Sequence, residues 1–287
     1  MSSLFEETKY ILKKYGITAN KSLGQNFLIN EEAVEKIVEG ASISKEDLVI
    51  EIGPGLGTLT KELLDKAGKV IAIELDKRML EILTDRFNLY DNFELINEDV
   101  LKVDLKELID KNLEVEQLKS AKIVANLPYY ITTPIVMKLL EENLPIESIT
   151  IMIQKEVADR LIEKPGGKNT GAITYAIYYY STAEEVYKVM PNSFIPEPAV
   201  ESKVIKLTIR EQKPINIKNE ELMFKIIKCA FMQRRKTLVN SLENSKIFKS
   251  KKDIINMLEK LDINTKIRGE ALSLEDYANI TNFVTEM

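Results

Sequence analysis

The chain is predicted to be an α/β protein with a doubly wound, mostly parallel sheet, and three features of its 287 residues carry that prediction. Short apolar runs, rich in β-branched residues, recur at 48–52, 70–74, 93–96, 123–125 and 149–153. Such runs suit strands buried on both faces. Helical patterns separate most of them, at 58–66, 77–88 and 134–142, and strand–helix alternation implies right-handed crossovers. The third feature is the glycine turn Gly53-Pro-Gly55-Leu-Gly57 between the first of these strands and its helix.

The chain opens with Leu4, Phe5, Thr8, Ile11 and Leu12 at helical spacing, ended by Tyr15-Gly16. A second helix is expected over 31–40, with Asn30 as its cap and Glu31 and Glu32 in its first turn. Gly24 to Leu28 is then a loop whose glutamine, asparagine and phenylalanine either touch a ligand or simply connect the helices. Beyond the alternating region, 171–180 reads as a helix, and 185–190 and 203–210 as two strands. The proline-punctuated loop between those strands carries Phe194, an exposed-looking aromatic that either packs or holds a ligand. After Pro214 the strand signal ends. Helices are expected over 220–240, 252–261 and 273–286, the last opened by the capping pattern Ser273-Leu-Glu-Asp276. The expected division is an N-terminal helix and loop over 1–30, a main domain over 31–210 and a helical domain over 211–287.

Composition narrows the chemistry. There is no histidine and one cysteine, which removes Ser-His and Cys-His nucleophile pairs, ordinary zinc sites and any disulfide within the chain. Cys229, among Ile226, Ile227, Ala230 and Phe231, reads as a small buried apolar side chain. No window suits a membrane span and the first residues lack the order of a signal peptide, so a cytoplasmic location is expected. The net charge is −5, yet between Arg210 and Lys252 twelve Lys/Arg face four glutamates. That basic stretch is either a solvated helix face or a nucleic-acid contact.

The glycine turn lets the backbone approach a ligand closely above a helix N-terminus. Glu74 stands at the end of the next strand, where an acid can accept hydrogen bonds from ribose hydroxyls. Glu98-Asp99-Val100 follows the third strand and offers a carboxylate to an adenine amino group. A dinucleotide turn prefers G-x-G-x-x-G/A, but counting from Gly53 its last position is Thr58. Glu51, ahead of the turn, also suits a ligand with an ammonium group, so S-adenosyl-L-methionine is favoured over NAD. The fourth strand stops at Asn126-Leu127-Pro-Tyr129, which offers an amide oxygen, backbone carbonyls and an aromatic face. It suits a planar ring bearing an amino group, and equally a plain strand-to-helix turn.

Glu51-Ile-Gly-Pro-Gly-Leu-Gly57, Asn126-Leu-Pro-Tyr129, Gly24-Gln-Asn-Phe-Leu28, Gln154-Lys-Glu-Val-Ala158 and Phe231-Met-Gln-Arg-Arg-Lys-Thr-Leu238 together resemble the small-subunit ribosomal RNA adenine dimethyltransferases, the bacterial enzymes tied to kasugamycin sensitivity. The resemblance runs from about residue 20 to the C-terminus. It implies a seven-stranded methyltransferase sheet with a small helical domain, and N6,N6-dimethylation of two adjacent adenosines in a 3′-terminal hairpin of 16S rRNA, in the 30S subunit or its precursor, by a monomer that needs no metal. It further implies that Gln25, Asn26, Leu28, Gly53, Gly55, Glu74, Leu75, Asp99, Val100 and Asn126 surround the cofactor together with Glu51. Asn126, Leu127 and Tyr129 would hold the adenine and Phe194 would close its other face. Arg234, Arg235 and Lys236, on a helix, would meet RNA phosphates. Tyr130 is a departure, since many relatives carry asparagine there. The rivals are a macrolide-resistance methyltransferase acting on large-subunit rRNA, disfavoured by the Phe231-Met-Gln-Arg-Arg-Lys motif, and a non-catalytic RNA-binding factor, disfavoured by the intact acids and Asn126.

Overall fold

A computed structural model describes residues 3–20, 24–167 and 169–286. The chain forms two compact units, Met1–Ala158 with Ala183–Ile209, and Asp159–Thr182 with Arg210–Met287. The first begins with α1 (Leu4–Lys14), β1 (Phe27–Leu28) and α2 (Glu31–Ala41). The alternating core follows as β2 (Asp47–Ile52), α3 (Thr58–Lys66), β3 (Lys69–Ile73), α4 (Lys77–Phe87), β4 (Phe93–Ile96), α5 (Leu105–Val115), β5 (Ser120–Asn126), α6 (Thr132–Glu141) and β6 (Ser148–Gln154). After α7 (Lys155–Ile162) and α8 (Ala172–Tyr180) come β7 (Ser181–Val189), β8 (Phe194–Ile195) and β9 (Ser202–Ile209).

The seven-stranded sheet has the order β4-β3-β2-β5-β6-β9-β7. Its first five strands pair in parallel, and β9 runs antiparallel to β6. Chain order proceeds outward from β2 to β4 and then jumps back to β5 on the other side, which makes the β2–β5 border the switch point where α/β sheets bind ligands. Register places Ile52 beside both Ile73 and Ala125, so Gly53, Glu74 and Asn126 are the next residues of three neighbouring strands. The sheet is held by side chains such as Ile50, Ile71, Ile123 and Ile151, all removed from solvent. Each contributes about 1.5–3 kcal/mol of apolar burial.

Local chemistry explains the helix starts. Asn30 caps α2 by accepting from the Ala33 N–H at 2.8 Å, and Asp104 caps α5 by accepting from Glu107 at 2.9 Å. Helix α5 fills the β4–β5 connection, for which the sequence pattern assigned no element. Residues 24–28 are more than a loop: Phe27 and Leu28 form β1, paired antiparallel with Ile195 and Phe194 of β8.

The second unit contains α9 (Glu220–Met232), α10 (Leu238–Leu242), α11 (Lys251–Lys260) and α12 (Leu274–Thr285). The helix expected over 220–240 therefore breaks. Lys236 closes a turn onto the Gln233 carbonyl at 2.8 Å, and Thr237 caps a new helix. Helix α8 packs among these elements through aromatics. Tyr175 lies edge-on to Tyr277 and Phe231 and donates to the Leu272 carbonyl at 2.6 Å, while Tyr179 donates to Glu220 at 2.8 Å. Ser273 and Asp276 form the expected capping box. Cys229 is half-buried rather than buried.

Candidate active site

One pocket lies at the carboxyl ends of β2, β3 and β5, and its walls include Gln25, Asn26, Leu28, Glu51, Gly53, Gly55, Glu74, Leu75, Asp99, Val100, Asn126, Leu127, Tyr129 and Phe194. The residues expected to hold a cofactor and those expected to hold a base thus surround a single cavity. The glycine turn beneath it is sterically required. Gly57 has φ +81°, and a Cβ there would stand 2.4 Å from the Phe87 ring. Gly55, at φ +57°, points its N–H at Glu74 Oε2, 3.1 Å away.

The acids differ in environment. Glu51 is almost wholly buried and accepts a hydrogen bond from the Thr60 hydroxyl. Burial lifts its pKa to about 8. Glu74 is also buried and is pushed upward by burial, against the pull of the backbone N–H donors of Asp76 and Gly55. Its carboxylate is thereby aimed before any ligand arrives. Asp99 is half-exposed and accepts from Leu101 N–H at 3.0 Å, which fixes the turn after β4. Asn97, not predicted, donates to the Glu74 carbonyl at 2.7 Å and secures the backbone of the acid.

At the other end of the pocket the Asn126–Tyr129 loop is pinned along its length. Leu127 N–H donates to the Met152 carbonyl at 3.1 Å, the Pro128 carbonyl accepts from the Thr132 hydroxyl at 3.1 Å, and the Tyr129 phenol meets Ser202 Oγ at 2.8 Å. Tyr130 is exposed at the pocket mouth, its ring over Gly24. The geometry therefore offers an amide and a buried carbonyl beside a half-buried ring.

Two expectations change in detail. Gln25 lines the pocket, but its side chain serves the protein: Oε1 accepts from the Asn20 N–H at 2.9 Å, and Nε2 donates to Asp76 Oδ2 at 2.8 Å. Asp76 also binds Arg78, whose guanidinium reaches the Thr18 carbonyl. No sequence motif marked this network. Phe194 is not exposed but buried, at 2%, because β8 pairs with β1 and forms part of the pocket wall.

The basic triplet is also placed differently from expectation. Arg234, Arg235 and Lys236 lie in the turn between α9 and α10, not on a helix, and all three are exposed. Arg234 is committed to Glu270 at 3.2 Å and to the Thr170 carbonyl at 3.1 Å. Among the described residues no group of His, Cys, Asp and Glu could hold a metal, and no helix is long and apolar enough to cross a membrane.

A sequence model of the family described as ribosomal RNA adenine dimethylase matches residues 16–286. The chain belongs to that family. A relative from Lachnoclostridium phytofermentans, named ribosomal RNA small subunit methyltransferase A, is 47% identical to this dimethylase over 98% of its chain and 97% of the relative's. The crystal structure of a dimethyladenosine transferase from Plasmodium falciparum is 27% identical and superposes with a TM-score of 0.75, covering 91% of this chain and 98% of that one. The structure of the 23S rRNA methyltransferase ErmE, 24% identical with a TM-score of 0.67 over 91% of this chain and 100% of that one, shares the fold. The dimethylase is an S-adenosylmethionine-dependent methyltransferase, and its pocket suits that cofactor. Glu51, buried at the pocket wall, is a carboxyl that an ammonium group would draw into its ionised form, and Glu74, preset by the Gly55 and Asp76 N–H groups, can accept from hydroxyls.

Proposed function

We propose that this dimethylase places two methyl groups on N6 of each of two adjacent adenosines in the 3′-terminal hairpin of 16S rRNA, acting as a cytoplasmic monomer on the 30S subunit or its precursor. The observation that carries this reading is that Glu51, Glu74, Asn126 and Tyr129 line one pocket, so a methyl-donor end and an adenine end share it.

In this reading Glu51 takes the ammonium of the cofactor, Glu74 the ribose hydroxyls and Asp99 the adenine amino group. The glycine turn, Leu75 and Val100 form the walls around them, with Gln25, Asn26 and Leu28 covering the site. Bound S-adenosylmethionine supplies a methyl group on a sulfonium. The work left to the chain is to present a poor nucleophile, since the adenine N6 lone pair is delocalised into the ring. The Asn126 amide oxygen and the Leu127 carbonyl accept the N6 hydrogens, favour a pyramidal nitrogen and aim its lone pair, a gain of positioning rather than of base strength. The amine becomes acidic only as it is methylated, so a chain without histidine lacks nothing it needs. The base must leave its stack to enter the pocket. Tyr129 and the wall formed by Phe194 return part of that cost, about 1–3 kcal/mol per aromatic contact.

Residues 1–30 then supply a helix and the cofactor-covering loop of the methyltransferase unit, which continues through 158 and 183–209. The helical RNA-binding unit is 211–287 enlarged by 159–182, a segment the sequence pattern assigns to the main domain over 31–210. Within the basic turn, Arg235 and Lys236 are the phosphate contacts, because Arg234 is engaged by Glu270. The test is labelled methyl transfer to undermethylated 30S and 50S particles, followed by mapping of the modified base. Dimethylation of two neighbouring adenosines near the 3′ end of 16S rRNA is expected. Label confined to 50S particles would overturn the reading.

A further inference from the structure

Resting on that reading of the pocket, we infer that Ser202 is a positioning residue for the target base, acting by fixing the plane of the Tyr129 ring through the 2.8 Å contact between its hydroxyl and the Tyr129 phenol. The Asn126–Tyr129 loop needs a hook at its far end. Its near end hangs from β6, through Leu127 N–H on the Met152 carbonyl, but Tyr129 lies two residues further on, and its ring could otherwise turn about χ1 and χ2. Ser202 provides the hook from a rigid place. It is the first residue of β9, opposite Gln154 of β6. The ladder continues on its N-terminal side with Lys155 N–H donating to the Glu201 carbonyl at 3.0 Å.

The hydroxyl itself is built for this single partner. Ser202 is 1% exposed, and a buried hydroxyl without a hydrogen bond is costly, so the serine and the phenol satisfy one another. Tyr129 accordingly combines two functions that a phenylalanine could not. The residue lines the pocket, while its phenol is held by the first residue of a strand that runs antiparallel to β6. A base stacking on a ring with a fixed plane meets a fixed angle and depth, and these decide whether N6 lies against the Asn126 and Leu127 acceptors.

The experiment compares Ser202→Ala, Ser202→Thr, Tyr129→Phe and the Ser202→Ala/Tyr129→Phe double variant with the wild type. Steady-state methylation of undermethylated 30S particles is read beside S-adenosylmethionine affinity and melting temperature. Ser202→Ala and Tyr129→Phe should each lower kcat about 10-fold, worth about 1.4 kcal/mol, with cofactor affinity within twofold of wild type. The double variant should lose no more than either single one, because both remove the same hydrogen bond, and Ser202→Thr should recover most of the rate. Wild-type kcat in Ser202→Ala, or losses that multiply in the double variant, would overturn the inference. If the wild type does not methylate rRNA, the functional reading fails instead. The tether is then decided by 3-fluorotyrosine incorporation. The Tyr129 fluorine resonance, assigned by its loss in Tyr129→Phe, should change position or width in Ser202→Ala, and an unchanged resonance would refute the tether.

Discussion

The Glu51 carboxyl accepts a 2.6 Å hydrogen bond from the Thr60 hydroxyl in a wall where only 1% of the glutamate is exposed. Burial raises its pKa from the ordinary 4.5 to about 8, which sets a sign. Between those two values the folded chain keeps a proton that the unfolded chain has released, so this residue makes stability fall as pH rises across that window. Glu51→Gln should flatten the fall in thermal melts recorded from pH 5 to pH 8.5. An arriving ammonium favours the carboxylate, so wild-type affinity for S-adenosylmethionine should increase toward pH 8. The variant should bind about 10- to 100-fold more weakly, the equivalent of about 1.5–3 kcal/mol for a hydrogen bond to a charged group. Calorimetry in buffers of different ionisation enthalpy measures both the affinity and the released proton.

The segment around Gln25 is held to the pocket wall by Asp76. Asp76 accepts from Gln25, pairs with Arg78 and gives its own backbone N–H to Glu74 at 2.7 Å, so one residue, through its side chain and its backbone, joins the N-terminal segment to Glu74. The Arg78 guanidinium holds its carboxyl below the usual aspartate value of 3.8. Its contribution is therefore complete above about pH 4 and is lost as pH falls below that. Asp76→Asn keeps an oxygen to cap α4 and removes the ion pair. It should speed amide exchange in residues 18–20 and 24–28 and raise the S-adenosylmethionine Kd about 10-fold, while Asp76→Ala should cost about 1 kcal/mol more stability through the lost cap.

The parallel core and the pocket floor were legible in the sequence because strand runs and a glycine turn are local signals. Glu51, Gly55 and Glu74 could be placed by their offsets alone. The pairing of Phe27 and Leu28 with Ile195 and Phe194 could not, since two-residue strands carry no periodicity and their partners stand far apart in the chain. That is why Phe194 read as an exposed loop aromatic. Asp76 and Ser202 were missed for a related reason: a helix cap and a strand's first serine look ordinary until the fold supplies their partners. The break after Met232 was hidden by apolar spacing that continues through Leu238 and Val239, so Arg234–Lys236 were read as helical.

Tyr129 and Phe194 should separate stacking from support. Tyr129→Ala should reduce methyl transfer about 5- to 150-fold, the range of a 1–3 kcal/mol stacking contact, while S-adenosylmethionine affinity persists. Equal loss of cofactor affinity would argue against a stacking role. Phe194 is also part of the hydrophobic core with Phe27 and Leu28. Phe194→Ala should thus lose about 3–5 kcal/mol of stability, and Phe194→Leu should retain most of the fold yet methylate RNA more slowly. Denaturant melts run beside the kinetics distinguish the two effects.

The basic turn makes the final prediction, because its three cations are not equivalent. Arg234 is held by Glu270 and the Thr170 carbonyl, whereas Arg235 and Lys236 are exposed. Each phosphate contact contributes close to one unit to the slope of log affinity against log salt. Arg235→Glu with Lys236→Glu should therefore weaken binding to 30S particles and reduce the magnitude of that slope by about two, leaving S-adenosylmethionine binding and the melting temperature near wild type. Arg234→Glu should instead lower the melting temperature, since it places a second carboxylate beside Glu270. Binding measured between 50 and 200 mM salt separates the roles, and an unchanged slope in the double reversal would remove Arg235 and Lys236 from the RNA contact.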